Sequence, residues 1–270
     1  MDSHLDAEGY IRAEADLANV QPEYRGVTDA AAALLTREFG DRLHSAYLYG
    51  SVVRGNAVPG RSDADLVAVL TAPPTEEDRR RARRVEQALT ERFAVLTTAG
   101  VNLTHLGEVL SPAERYGWQV FLRELSVCVA GQDLRPDLPP TRPSAALAVG
   151  FHADVHEVFA GARAALRGPA DPAVVRSACR MASRRMVQVG FAVAMARTGA
   201  WATVLEEQVA VIGAVFPQWA EAARSAAEQG RRPVADSGVV LGLLDTFGRW
   251  AEDALDQVAS EAGAVDRQER

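Results

Sequence analysis

The sequence predicts an α+β protein, with a small mixed-sheet domain over residues 1–143 and an all-α helical bundle over residues 144–270. Three observations predict it. Two β-rich runs, Leu43–Tyr49 and Leu66–Leu70, flank a polar excursion that opens on Gly50-Ser51 and closes on Ser62, Asp63, Ala64 and Asp65. Arg135–Pro143 then holds four of the 13 prolines, the composition of a linker. From Ser144 onwards the apolar residues recur at helical spacing only.

Taken in order, residues 1–26 are polar, with a short helix expected around Tyr10–Leu17. Thr28-Asp29 leads into Ala30–Phe39, whose apolar face (Ala32, Leu35, Phe39) and terminal Gly40 mark a helix. The first domain's core spans about 27–135. Thr75 caps a charged helix from Glu76 to about Phe93. The arginines of Arg79–Arg84 lie among Glu76, Glu77, Asp78 and Glu86, so this run reads as a solvated face and not as a nucleic-acid patch. Gly100–Leu106 reads as a third strand, with Asn102 and Thr104 on one face and His105 on the other. Ser111, Pro112 and Glu114 form a strong helix start, and the run to Ala130, with Leu122, Leu125 and Val129 as its stripe, predicts a helix stopped by Gly131. Amphipathic segments follow at Ser144–Leu166, Pro172–Thr198, Trp201–Val215, Pro217–Gln229 and 234–262, which predicts a bundle of four or five helices.

Composition narrows the chemistry. A hydrophobic content of 48% over 270 residues supplies a core. A net charge of −7 argues against a protein that lives on nucleic acid. No 18-residue apolar run appears and the first residues are acidic, so neither a membrane span nor an export signal is expected, and the location expected is cytoplasmic. Cys128 and Cys179 stand apart in what read as apolar helices, as buried small hydrophobes. The chain contains no Lys: all 29 basic residues are Arg. That omission removes Walker A loops, kinase-like folds and Schiff-base chemistry of ordinary design.

The positive signal is the pair Asp63 and Asp65. Two apart on a strand, they project from one face, and two adjacent carboxylates repel unless a cation sits between them. Mg²⁺ prefers such hard oxygens together with phosphate. Gly50 lets the backbone approach a phosphate closely, and Ser51 offers N–H and O–H donors. The chemistry suggested is metal-assisted phosphoryl transfer.

These residues resemble the motif of nucleotidyltransferases of the DNA polymerase β superfamily: Gly50-Ser51, Arg54-Gly55, and Asp63 and Asp65 after a spacer of eleven residues from Ser51. The second half is similar to the helical domain of aminoglycoside adenylyltransferases of the streptomycin/spectinomycin type, at Ala178-Cys179-Arg180, Thr198–Trp201 and Phe216–Trp219. Gly131–Asp133 resembles the turn that closes their catalytic domain. The resemblance implies Mg²⁺, ATP or another NTP as co-substrate, and a small-molecule acceptor meeting it between the two domains. Asp63, Asp65 and Asn102 would be catalytic, with Asp63 and Asp65 the metal ligands. Gly50, Ser51, Arg54, Ser62, Arg180 and Arg184 would bind the nucleotide. Arg176, Arg180 and Arg184 share a helix face by their four-residue spacing, and forked guanidinium donors suit a triphosphate. No nucleic-acid or membrane partner is implied, and the oligomeric state is open.

The departure is Asn102, which stands where the superfamily carries a third carboxylate. An amide oxygen ligates weakly and cannot take a proton. Three readings stay open: an enzyme that borrows a base, with Glu108 or His105 nearest; an acceptor that needs none; or a degenerate site that binds nucleotide without turnover. An AMP-transferring antitoxin is a further alternative. His152 and His156, four apart, have zinc-ligand spacing but no third ligand, and Asp154 and Glu157 read as surface acids or as carboxylates that attract a polycationic acceptor.

Overall fold

A computed structural model of the chain describes residues 4–168, 171–234 and 236–268, with side chains described to residue 262. Two compact units emerge: Ile11–Thr141, and Met1–Tyr10 with Arg142–Arg270.

The first unit is built on a four-stranded sheet of order β3-β2-β1-β4. Strand β1 (Leu43–Tyr49) pairs antiparallel with β2 (Ser62–Leu70) and with β4 (Ser126–Gly131), and β2 runs parallel to β3 (Leu96–His105). Helices α1 (Arg25–Phe39) and α2 (Glu76–Arg92) cover one face. There Leu35 and Phe39 of α1 and Val85 and Leu89 of α2 bury against Ala46, Leu48, Leu66, Ala68 and Leu70. Each large side chain so buried contributes roughly 1.5–3 kcal/mol. The other face carries Tyr47, Val67 and Val69 under Val109 of α3 (Leu106–Val109), Leu122 of α4 (Trp118–Leu125) and Leu134. The ends of the unit meet where the Ile11 N–H donates to the Thr141 carbonyl at 2.8 Å.

Strands β1 and β2 and helix α2 lie where the sequence places them. Thr75 and Asp78 form a full capping box at the start of α2, and the outer arginines pair with acids: Arg80 with Glu77, Arg83 with Glu76, and Arg84 with Glu38 and Glu77. Helix α1 starts at Arg25, earlier than expected, after a 3₁₀ turn at Pro22–Tyr24. No helix forms at Tyr10–Leu17. The helix expected to reach Ala130 ends at Leu125, and Ser126–Gly131 is β4. Cys128 and Val129 therefore sit on a strand. The physical reason is tertiary: β1 has a second edge to satisfy, and the β-branched alternation at Val127 and Val129 suits it.

In the second unit α7 (Pro172–Thr198) is buried along most of its length, and His4 pairs with Glu207 at 3.0 Å. Small residues let neighbours approach α7; a Cβ at Gly190 would stand 2.8 Å from the Phe247 ring. The segment expected as one helix from Ser144 breaks into α5 (Ala145–Phe151) and α6 (Val155–Arg167), and both pack on α7. Helices α8 (Leu205–Val215), α9 (Ala220–Arg231), α10 (Ser237–Leu243) and α11 (Arg249–Gln268) complete it, with a π-turn at Leu244–Gly248 between the last two. Arg163 of α6 donates to the Leu244 carbonyl at that turn, at 2.9 Å, and to Glu252 at 3.0 Å.

Candidate active site

The site grows from the β1–β2 hairpin. Tyr49 pairs with Asp65 across the two strands, Asp65 with Gly100 of β3, and Val67 with Asn102. Residues at paired positions, and those two apart along a strand, share a face. Asp63, Asp65, Tyr49 and Asn102 therefore project from one face of three neighbouring strands. Along β2 that face changes from Asp63 and Asp65, both half-buried, to the fully buried Val67 and Val69. The polar end is the candidate site and the apolar end is core.

Gly50 follows Tyr49 with φ +81, and a Cβ there would lie 2.7 Å from Asp65 Oδ2. The left-handed backbone favours Gly here, and a side chain would have to displace the Asp65 carboxylate. The loop that follows is held at several points. The Asn56 N–H donates to the Ser51 carbonyl at 3.1 Å, the Asp16 N–H to the Val53 carbonyl at 3.0 Å, and the Gly60 N–H to the Val95 carbonyl at 2.8 Å. Val52 and Val53 are buried beneath it. Gly55, at φ +73, faces the Asn19 carbonyl so closely that a Cβ would lie 2.7 Å from that oxygen. Arg54 is half-buried in the same loop. Ser62 has a scaffold part in it, its Oγ accepting the Val58 N–H at 2.8 Å.

Asp63 Oδ1 accepts a hydrogen bond from Thr98 Oγ1 at 3.1 Å. Asn102 is exposed and its Nδ2 donates to the Tyr49 hydroxyl at 2.8 Å. Burial pushes the Tyr49 phenol well above its ordinary range, and the Asp65 charge raises it further. Among the described residues no group of three His, Cys, Asp or Glu is placed to share a metal ion. The donor set here is two carboxylates on one face, which fits Mg²⁺, an ion commonly held by one or two carboxylates with phosphate and water completing its shell.

The residues weighed as substitute bases are occupied. Glu108 accepts from Thr104 Oγ1 at 2.6 Å, and His105 Nδ1 accepts the Glu108 N–H at 3.3 Å as the cap of α3. Arg180, half-buried, and Arg184, exposed, stand on α7 in the helical unit, with Arg176 exposed one turn before. The sheet therefore assembles Gly50, Ser51, Asp63, Asp65 and Asn102, while Arg180 and Arg184 belong to other elements. The histidine pair is divided between core and surface. His152 is buried and held down to about 3 by that burial and by the Arg185 charge. His156 is exposed and bonded to Asp256 at 3.0 Å, which raises its pKa. Asp154 pairs with Arg185.

Tyr49 is the site residue that reading the sequence misses. The available signal was its place directly before Gly50, which in an antiparallel hairpin sets it opposite an early residue of the second strand.

Residues 35–110 match the model of the nucleotidyltransferase domain family. That stretch takes in strands β1, β2 and β3 and the candidate-site residues Gly50, Ser51, Asp63, Asp65 and Asn102. The fold is similar to that of a spectinomycin adenyltransferase from Enterococcus faecialis, whose crystal structure holds ATP and spectinomycin; the two chains are 12% identical, with a TM-score of 0.50 over 86% of this chain and 99% of that one.

Proposed function

We propose that the protein transfers AMP from ATP to a hydroxyl of a small molecule, an aminoglycoside-like antibiotic, and releases pyrophosphate. The observation that carries this reading is the pair Asp63 and Asp65 on one face of β2, beside the Gly50-Ser51 turn, inside a matched nucleotidyltransferase domain. Asp63 and Asp65 would hold Mg²⁺, which when bound offsets the charge of the phosphates and lines up the attacking and leaving oxygens. The Ser51 hydroxyl and the backbone at Gly50 supply donors for the β- and γ-phosphates. Arg54, Arg180 and Arg184 are assigned to phosphate binding on the resemblance of the motif and of the helical half. The choice of ATP and of an antibiotic acceptor draws support from the ligands of the structurally similar adenyltransferase.

The experiment is Mg²⁺-dependent transfer of labelled AMP to a panel of aminoglycosides, spectinomycin and lincosamides. Pyrophosphate release with at least one acceptor is expected, and none with any nucleotide and acceptor would sink the reading. One observation favours a second reading, a nucleotide-binding protein without turnover: the third polar position on this face is the amide Asn102. Tight ATP binding with no transfer, and transfer gained in Asn102→Asp, would decide for it.

A further inference from the structure

The Tyr49–Asn102 hydrogen bond runs from β1 to β3 across the face of β2, beside the carboxylate-bearing end of that strand. The Tyr49 ring is set edge-on against Phe121 at 4.8 Å, and Phe121 edge-on against Trp118 at 5.8 Å, so the phenol oxygen is held in place from α4. Asn102 itself is exposed on the outermost strand. Fixing an exposed amide costs side-chain entropy, and the gain is a fixed orientation of its remaining polar atoms.

We propose that Tyr49 is a positioning residue for the acceptor: it holds the Asn102 amide by its Nδ2, so that the amide oxygen accepts the acceptor's O–H beside Asp65. This rests on the transferase reading above. The acceptor oxygen forms its bond to the α-phosphorus while the bond from that phosphorus to the bridging oxygen breaks, its electron pair leaving on pyrophosphate. The proton of the acceptor hydroxyl passes to hydroxide from the solvent, which becomes water. No side chain on this face is free to take it: an amide cannot, Asp63 and Asp65 are the metal ligands of that reading, and Glu108 is turned onto Thr104.

The test compares the wild type with Tyr49→Phe, Asn102→Ala, Asn102→Asp and the double variant Tyr49→Phe/Asn102→Ala, in AMP transfer and in calorimetric ATP binding. Phe keeps the ring and its packing, so a purely structural role for Tyr49 predicts no change. The expected result is a fall in kcat of about tenfold for Tyr49→Phe with ATP affinity kept within about twofold, and a double variant no slower than Asn102→Ala alone. In the wild type kcat/KM is expected to rise about tenfold per pH unit between pH 6 and 8, and in Asn102→Asp to flatten there, as a side-chain base takes over. Unchanged kcat in Tyr49→Phe, additive losses in the double variant, or a flat wild-type profile would each overturn the proposal. A wild type that binds ATP but transfers nothing would fail the transferase reading and this inference with it. An active wild type beside an equally active Tyr49→Phe fails the inference alone.

Discussion

Asp78 and the pair Asp63 and Asp65 belong to the same unit and are treated in opposite ways by their surroundings. Asp78, 1% exposed, accepts from Arg42 Nε at 2.9 Å and Nη2 at 2.6 Å, and from the Thr75 N–H at 2.9 Å and hydroxyl at 2.7 Å. Burial works against its charge, yet those hydrogen bonds outweigh it and bring the carboxyl down to about 2. Asp63 and Asp65 are half-buried, stand next to each other on one face, and the residue beside them is Gly. A carboxylate used for stability is enclosed by donors from its own chain. On the proposed function, Asp63 and Asp65 are instead the carboxylates that a cation from outside would reach, on a face where both are half-buried. That contrast can be broken by experiment.

The largest effect is expected at Asp63 and Asp65. Asp65→Asn keeps the shape and removes the charge, so AMP transfer should fall by about a thousandfold or more, with little change in Tm. Retained transfer in this variant would refute the metal assignment. The converse applies to Asp78→Asn. Leaving Arg42 beside a neutral amide, with the cap of α2 weakened, should lower stability by about 3 kcal/mol in urea unfolding, while kcat under folding conditions stays within about threefold. A loss of turnover without a loss of stability would erase the distinction between the two sites.

The acid limb of stability follows from the same carboxyl. The Asp78 pKa is depressed on folding, so its contribution is fully present above the unfolded value of 3.8 and is lost as the pH falls through that value towards about 2. The contribution is about 2 kcal/mol. Unfolding measured between pH 5 and 2 should show the wild type losing its advantage over Asp78→Asn by that amount across the window. Parallel curves would mean that the clamp is not felt in the stability.

How much of this contrast the residues announce depends on the range of the interaction. The hairpin, the α2 cap and the Asp63–Asp65 face are local, and period, spacing and capping chemistry make them legible. Strand β4 is not, because Trp118–Leu125 passes straight into Ser126–Gly131 with no breaker, and only the second edge of β1 selects strand over helix. The break at 152–154 is likewise set by packing on α7. Tyr49 is invisible for a related reason: its partners Asp65 and Asn102 are brought to it by strand register, which no single segment encodes. The donors that distinguish Asp78, apart from Thr75, also come from far away, since Arg42 is 36 residues distant.

The smallest expected effect falls where backbone and chemistry meet. Gly50 is left-handed at φ +81, and a Cβ would press on Asp65 Oδ2 at 2.7 Å. Gly50→Ala should therefore cost about 1–2 kcal/mol of stability from the backbone alone. The displaced carboxylate should lower transfer by about tenfold more than that loss explains, because misplacement of a reacting group by a fraction of an ångström is costly. Gly60→Ala is the control, since Gly60 has φ +70 with nothing within 4 Å of an added Cβ. It carries the backbone strain without touching Asp65. Equal transfer in the two variants would show that the carboxylate tolerates displacement, and Gly50 would then be a turn residue only.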